Sequence, residues 1–305
     1  MSRSVIKQRK RLTPRWAPYV LLMPFLVLFA VFGIFPLLFS IVLAFQSWDP
    51  SSGLASMTFV GTENFSFALG DDWFWKSLGS TFTLALLSGV PQHLVAIPLA
   101  AFIDRTFGRW RDPVSAVYFL PYITSSVAIA ILFGALFSKD FGLVNSLLHA
   151  WLRGENIDWI GRSETLGPVV SFIVFWRYLG FNLVLYLAAL QSIPRDLYEA
   201  AELDGASAWR QFFHITLPGL RPMILFGVTL SVIGGLQIFE EPFILTGGKG
   251  GPDQVVMTVG MYVYRTAFEF NDFGAASAMS WILCAIVAVM TWVTHRAFKT
   301  DGSPR

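Results

Sequence analysis

Six long apolar runs alternate with short polar segments along the chain. At a rise of about 1.5 Å per residue, a helix made from each run would cross the roughly 30 Å of hydrocarbon in a bilayer. A lone strand would leave its backbone groups unpaired in lipid, so a helix is expected in every run. The pattern predicts an all-α polytopic membrane protein with six transmembrane helices. Their predicted limits are Tyr19–Phe45, Leu78–Ile103, Val114–Phe137, Leu166–Leu190, Met223–Leu245 and Ala275–Ala297.

The first run is read as a retained transmembrane helix. It is 27 residues long and follows a basic segment at residues 3–15. A signal peptide core has only about 7–15 apolar residues, and no small-x-small cleavage site follows this run. The basic residues are interpreted as an anchor on anionic lipid and not as a nucleic-acid patch. Pro24 and Pro36 predict a tilt or kink in this helix.

Composition agrees with a membrane protein. Hydrophobic residues make up 54% of the chain, charged residues only 14%, and the mean hydropathy is +0.58. A soluble domain usually carries about 25% charged residues. The single cysteine, Cys284, lies inside an apolar run and cannot form an internal disulfide.

Lys and Arg are unevenly distributed between the segments that join the runs. If the N-terminus is cytoplasmic, fifteen of these residues fall on cytoplasmic segments and six on outer loops. The positive-inside bias therefore predicts that both termini are cytoplasmic. The expected organisation is a basic tail (1–18), a first helix with an outer loop (19–76), a five-helix core (77–297) and a C-terminal tail (298–305). The core includes a cytoplasmic loop at 192–221.

Enzyme signatures are absent from the sequence. The glycine cluster Gly247–Gly251 lacks the spacing of a phosphate-binding loop, and no serine nucleophile elbow occurs. The histidines show no metal-ligand spacing: His93, His149, His214 and His295. No catalytic residue, metal site or bound cofactor is expected in this chain.

Residues 192–221 predict a short helix-turn-helix. Ser192 with Pro194 marks a helix start, and Gly205 breaks that helix. Ser207 caps a second helix, which Pro218 is expected to end. Leu197, Ala200, Ala201 and Asp204 share helical spacing on the first helix, and Trp209, Phe212 and Phe213 lie on the second. Such a pair is either a docking surface with exposed aromatic side chains or an amphipathic pair lying in the lipid headgroups.

The most specific motif lies in this segment and reads E-A-A-x3-G-x9-I-x-L-P. Its residues are Glu199, Ala200, Ala201, Gly205, Ile215, Leu217 and Pro218. The motif resembles the coupling loop of binding-protein-dependent ABC importer permeases.

Further motifs extend the resemblance over most of residues 20–297. They are Phe59–Phe65, Leu120-Pro121, Phe141–Asn145, Leu190–Pro194, and Leu245–Gly248 with Gly251-Pro252. Together with Tyr262-x-Tyr264-x3-Phe268, these are similar to carbohydrate permeases, and to the F-type subunit of the maltose importer in particular. One departure is Lys249 with an extra glycine, which interrupts the usual Gly-Gly-Pro. The resemblance implies a type I permease fold for the core.

The resemblance also implies partners. These are a second homologous permease, a cytoplasmic ATPase dimer that binds ATP and Mg, and an extracytoplasmic solute-binding protein that delivers a carbohydrate. The surface implied to contact the ATPase comprises Glu199, Ala200, Ala201, Asp204, Gly205, Trp209, Phe212, Phe213, Ile215, Leu217 and Pro218.

Polar residues inside the spans are candidates for the substrate path, because they are costly in lipid and usually face a cavity or each other. The candidates are Trp176, Arg177, Gly180, Asn182, Ser231, Gly235, Gln237, Glu240 and Glu241. Two interpretations of Arg177 and Glu240 stay open, mutual neutralisation and substrate contact. His93 is interpreted as a satisfied polar group inside the bundle.

The expected function is therefore a permease subunit of an ATP-driven importer for a sugar or related polyhydroxylated solute. The alternative is an ion-coupled secondary transporter that acts alone. That class is typically built from inverted repeats with broken helices, and no convincing repeat occurs in this sequence. A non-transporting membrane scaffold would not need the polar stripe along the fourth and fifth spans.

Overall fold

The computed structural model describes residues 16–152 and 155–298. The whole basic segment at residues 3–15, interpreted above as a lipid anchor, and nearly all of the C-terminal tail lie outside these residues. Two short strands, β1 (Gln46–Ser47) and β2 (Thr58–Phe59), pair antiparallel after the first span. The α-helices are α1 (Ala17–Phe29), α2 (Phe35–Leu43), α3 (Glu63–Gly70), α4 (Asp72–Thr106), α5 (Arg111–Ile123), α6 (Ser126–Leu136), α7 (Leu143–Leu152), α8 (Ser163–Leu190), α9 (Arg195–Leu203), α10 (Ala208–Gln211), α11 (Leu217–Gly235), α12 (Glu240–Thr246), α13 (Val259–Phe268) and α14 (Phe273–Phe298).

Five helical segments are long and apolar enough to cross a membrane, namely Pro18–Leu43, Asp72–Thr106, Ser163–Leu190, Ala208–Thr246 and Phe273–Phe298. A sixth span is counted if the bent pair Gly108–Ile123 and Ser126–Leu136 is taken as one. The six predicted runs therefore all correspond to helical regions of the structure.

The prediction of one continuous helix at Val114–Phe137 was wrong. α5 and α6 meet at an angle of 93°. Thr124 (ψ 149°) and Ser125 (ψ 129°) are extended at the junction, and the Thr124 hydroxyl donates to the Leu120 carbonyl at 2.8 Å. Because such a side chain competes for the backbone carbonyl, it favours a break that the apolar pattern on both sides conceals.

The fifth predicted span, Met223–Leu245, is also interrupted. α11 ends at Gly235, and α12 begins only at Glu240. Paired glycines at the end of α11 lower its helix propensity at this point. The four residues between the two helices carry polar backbone and side-chain groups at mid-bundle, which is tolerated only where they line a cavity or are covered by protein.

Two π turns precede prolines in the spans. The turn at Ala30–Ile34 comes two residues before Pro36, and the turn at Phe212–Thr216 comes two residues before Pro218. Each proline is the second residue of the next helix, where its missing N–H costs little. The expectation that Pro218 ends its helix was therefore wrong, since the chain continues through it into α11.

The loop at 192–221 forms two short helices joined by a turn, as predicted. We call these residues the hairpin. α9 follows Pro194, and Gly205 adopts a left-handed conformation with φ +74°. The Ser207 side chain accepts a hydrogen bond from the Arg210 N–H and caps α10. The predicted break and second cap are confirmed. The predicted start was wrong, because α9 begins only at Arg195, after Pro194, and the Ser192 hydroxyl donates to the Ala189 carbonyl at 2.7 Å.

The long helices α4 and α8 form the centre of the bundle, with α5 against α8 and α11 against α4. Gly180 lies where α8 crosses α5, since a Cβ added there would overlap the Tyr118 carbonyl oxygen. Only glycine allows this close approach of two backbones. By contrast, only 6% of the residues in the most apolar part of the combined α1–α2 span are buried within the described chain. The surface of this span is therefore available for contact with lipid or with another subunit.

Two of the sequence motifs hold loops in place. The Asn64 amide donates to the carbonyls of Ala44 at 3.1 Å and Gln46 at 2.8 Å. The Asn145 amide donates to the Ile157 carbonyl at 2.8 Å and accepts from the Trp159 indole N–H at 2.8 Å. Buried amides with several partners fix loop geometry, so these asparagines have a structural role in the fold.

Candidate functional site

A cavity of about 500 Å³ opens between α4, α8 and the interrupted α11–α12 segment. Seven of the nine candidate path residues line it: Arg177, Asn182, Ser231, Gly235, Gln237, Glu240 and Glu241. Gln92, Tyr122, Tyr178, Phe181 and Phe239 add further polar and aromatic groups to its wall. The cavity therefore combines hydrogen-bonding groups with flat apolar faces, which is typical of small-molecule sites.

The other two candidates lie elsewhere. The Trp176 ring packs against Phe133 with centroids 5.2 Å apart, and it lines a separate apolar groove beside α5 and α6. Gly180 faces the α5 backbone. Neither residue lines the cavity.

Arg177 is held mainly by Glu241. Its Nη1 lies 2.5 Å from the Glu241 carboxylate and 3.9 Å from that of Glu240. The Glu241 side chain is 5% exposed, whereas that of Glu240 is 57% exposed. Sequence analysis left open whether Arg177 and Glu240 neutralise each other, and in the structure Arg177 lies closer to the neighbouring Glu241.

Two polar layers cross the bundle at the cavity. The Asn182 amide donates to the Gln92 side chain at 3.1 Å, and the Asn182 Oδ1 atom has no partner among the described residues. In the other layer, His93 Nδ1 lies 2.7 Å from the Tyr186 hydroxyl and Nε2 lies 3.0 Å from the Ser231 hydroxyl. His93 is thus a satisfied polar group that links α4, α8 and α11, as expected.

The hairpin has two distinct faces. Leu203 (90% exposed), Trp209 (70%) and Phe213 (52%) point away from the bundle, and the Trp209 and Phe213 rings are stacked. On the other face, Gln211 and Thr216 are buried, and Phe212, Ile215 and Leu217 pack on the core of α4 and α8. Among the remaining motif residues, Glu199, Ala200 and Asp204 are exposed and Ala201 is half-buried.

Sequence analysis missed the residue that ties the hairpin to α4. Arg105 donates to the Gln211 side chain, and Gln211 in turn donates to the Ala206 carbonyl at 3.2 Å. The Arg105 guanidinium also lies 5.9 Å from the Tyr198 ring centroid on α9. Arg105 therefore contacts both helices of the hairpin, although the sequence suggested only a topology charge.

We expect Arg105→Ala to loosen the hairpin, because Gln211 would be left buried without this partner. Amide hydrogen exchange at residues 206–211 should become several-fold faster in the variant. Arg109→Ala is the matched control, since the Arg109 guanidinium lies over the Trp110 ring at 5.8 Å. Equal rates of amide hydrogen exchange in the wild type and in Arg105→Ala would contradict the proposed role of Arg105 in holding the hairpin against α4.

No cluster of three or more His, Cys, Asp or Glu side chains within residues 16–152 and 155–298 is arranged to hold a metal ion.

Comparison with known proteins gives consistent matches. The model of the family described as binding-protein-dependent transport system inner membrane component matches residues 96–299. The chain is 34% identical over 277 residues to the lactose transport system permease protein LacF of Rhizobium radiobacter, covering 90% of this chain and 92% of LacF. It is 35% identical to the arabinooligosaccharides transport system permease protein AraP of Halalkalibacterium halodurans, covering 90% of this chain and 85% of AraP.

A solved structure shares the fold. It is the crystal structure of a bacterial alginate ABC transporter in complex with an alginate pentasaccharide-bound periplasmic protein. One of its chains matches with a TM-score of 0.77 and 26% identity, covering 93% of this chain and 96% of that chain.

Proposed function

Because the chain belongs to the family of binding-protein-dependent transport system inner membrane components, we propose that its cavity carries a sugar or related polyhydroxylated solute across the membrane. It is a multi-pass inner-membrane permease subunit of an ABC importer, with the all-α type I permease fold. The family assignment favours an ATP-driven importer over an ion-coupled transporter acting alone. ATP hydrolysis belongs to a separate subunit.

The cavity between α8 and the interrupted α11–α12 segment carries the proposal. Amide, hydroxyl and carboxylate groups there can exchange hydrogen bonds with substrate hydroxyls, and Tyr122, Tyr178 and Phe239 offer apolar faces. The Asn182 Oδ1 atom lacks a partner, as does Arg177 Nε among the described residues. Buried polar atoms without partners are costly, so a hydroxylated ligand or water would satisfy them. The names of the relatives, which mention lactose and arabinooligosaccharides, support a sugar.

The proposed partners are a second permease, an ATPase dimer that binds ATP and Mg, and a solute-binding protein. The alginate transporter structure includes such a periplasmic protein. In our proposal the exposed face of the hairpin seats on the ATPase, with Leu203, Trp209 and Phe213 filling a groove. Exposed aromatic clusters of this kind favour protein contacts. The charge distribution supports a cytoplasmic location for this hairpin and for both termini.

Gln237→Ala tests the site. Gln237 is exposed to the cavity, so its loss should remove hydrogen bonds to the substrate and lower ATP-dependent uptake about fivefold. Uptake is measured in proteoliposomes that contain the complete complex, with the sugar-loaded binding protein present. Assembly and basal ATP hydrolysis should stay at the wild-type level.

Thr229→Ala provides the control, because the Thr229 hydroxyl donates to the Leu225 carbonyl within its own helix. We expect wild-type uptake from this variant. Undiminished uptake by Gln237→Ala would place the path elsewhere, and the absence of any ATP-dependent sugar uptake by the wild-type complex would overturn the proposed function.

A further inference from the structure

Three charged side chains line the cavity among the described residues. They are Arg177, Glu240 and Glu241. With both carboxylates ionised, the set carries one positive and two negative charges. The cavity wall is otherwise built from uncharged side chains, so these three decide its electrostatic character.

Arg177 and Glu241 form a closed pair within the wall. Their atoms are 2.5 Å apart, and the two side chains are only 14% and 5% exposed. A pair at this distance neutralises itself, and little of either charge reaches a ligand. The charge of the arginine is therefore largely offset by Glu241, and its one buried donor without a partner among the described residues is Nε.

Glu240 is the charge that faces the open space. Its side chain is 57% exposed, and its carboxylate is 3.9 Å from Arg177, beyond hydrogen-bond distance. In a cavity walled by protein, a charge acts on a ligand more strongly than it would in bulk water. The nearby polar groups of Gln92, Asn182, Ser231 and Gln237 are neutral and cannot offset it.

We infer that the cavity selects uncharged or amino sugars and disfavours acidic sugars, and that Glu240 sets this preference. The inference rests on the proposed sugar-transport function and adds a substrate class to it. A uronate carboxylate placed near Glu240 would be repelled, whereas a neutral hydroxyl could donate to it and an ammonium group could pair with it.

The test measures direct binding to the permease–ATPase complex in nanodiscs without the solute-binding protein, which would impose its own selectivity. Three matched probes are used, a neutral disaccharide, its 2-amino derivative and its uronate derivative, and affinities are obtained by saturation-transfer NMR. The uronate should bind at least tenfold more weakly than the neutral probe, because two like charges about 6 Å apart repel strongly at the protein's effective dielectric constant. The amino derivative should bind at least as well as the neutral one.

Two variants assign the preference to one side chain. In Glu240→Gln the ratio of neutral to uronate affinity should fall towards one, and in Glu240→Asp it should persist. Glu269→Gln is the control, since Glu269 pairs with Arg265 on α13 and does not line the cavity.

Failure of this inference is distinguishable from failure of the proposed function. Equal binding of all three probes by the wild type, or an unchanged ratio in Glu240→Gln, would overturn the charge preference and leave sugar binding in place. Binding of none of the probes, together with no ATP-dependent sugar uptake, would overturn both.

Discussion

Arg177→Ala is expected to remove most of the folded permease complex from the membrane. The substitution leaves the Glu241 carboxylate, 5% exposed, without its partner at 2.5 Å. Breaking a buried ion pair by deleting one member costs about 3–5 kcal/mol, because the remaining charge stays buried and uncompensated. The yield of assembled complex and its thermal unfolding midpoint measure the effect.

A double replacement separates this cost from any loss of packing volume. Arg177→Met combined with Glu241→Met removes both charges and keeps the space filled, so it should recover much of the lost stability. Glu240→Gln should leave the yield near that of the wild type, because the Glu240 carboxylate is exposed and comes no closer to Arg177 than 3.9 Å. An unaltered unfolding midpoint in Arg177→Ala would show that the pair contributes little.

Gly205→Val is expected to reduce transport at least tenfold while the protein still inserts. Gly205 has φ +74°, which a β-branched residue adopts only with strain. Nothing lies within 4 Å of an added Cβ at this position, so the substitution tests backbone conformation alone. The turn between α9 and α10 would open, and the face carrying Trp209 would lose its orientation. Uptake and the stimulation of ATP hydrolysis by the loaded binding protein should both fall.

Two further substitutions control for this effect. Gly205→Asn should retain much of the activity, because asparagine adopts the left-handed conformation more readily than other residues. Gly79→Val adds the same side chain to α4, where a Cβ also meets nothing within 4 Å and φ is not positive. Full transport by Gly205→Val would contradict the assignment of the turn to coupling.

Features encoded by local sequence were predictable. The break at Gly205 and the cap at Ser207 depend on the dihedral preference of one residue and the side chain of another. Apolar length alone was enough to place the spans. Continuity within a span was not visible at Thr124, because the residues on both sides of it are similarly apolar. At the 236–239 break, the sequence prediction placed the polar residues Gln237, Glu240 and Glu241 on one continuous helix.

Features that depend on helix rotation or distant contacts were harder to predict. α8 is apolar around most of its circumference, so its sequence could not tell that Arg177 and Asn182 face the cavity while Gly180 faces α5. The contact of Arg105 with Gln211 joins residues 106 positions apart and belongs to no motif. The sequence shows that such residues are charged or polar, but it does not show which residues they contact.

Because of the π turn at Phe212–Thr216, the orientation of the hairpin relative to α11 depends on the number of residues in the turn. Successive residues of an α-helix are offset by about 100° around its axis, and a π turn accommodates one extra residue in its hydrogen-bonded loop. Deleting one residue here would convert the wide turn to an ordinary one and swing Trp209 by about 100° in azimuth relative to α11. Point substitutions in the turn preserve this phase, whereas single-residue insertions and deletions do not. Chain length between Gly205 and Pro218 is therefore under a geometric constraint of its own, separate from the chemistry of the side chains within it.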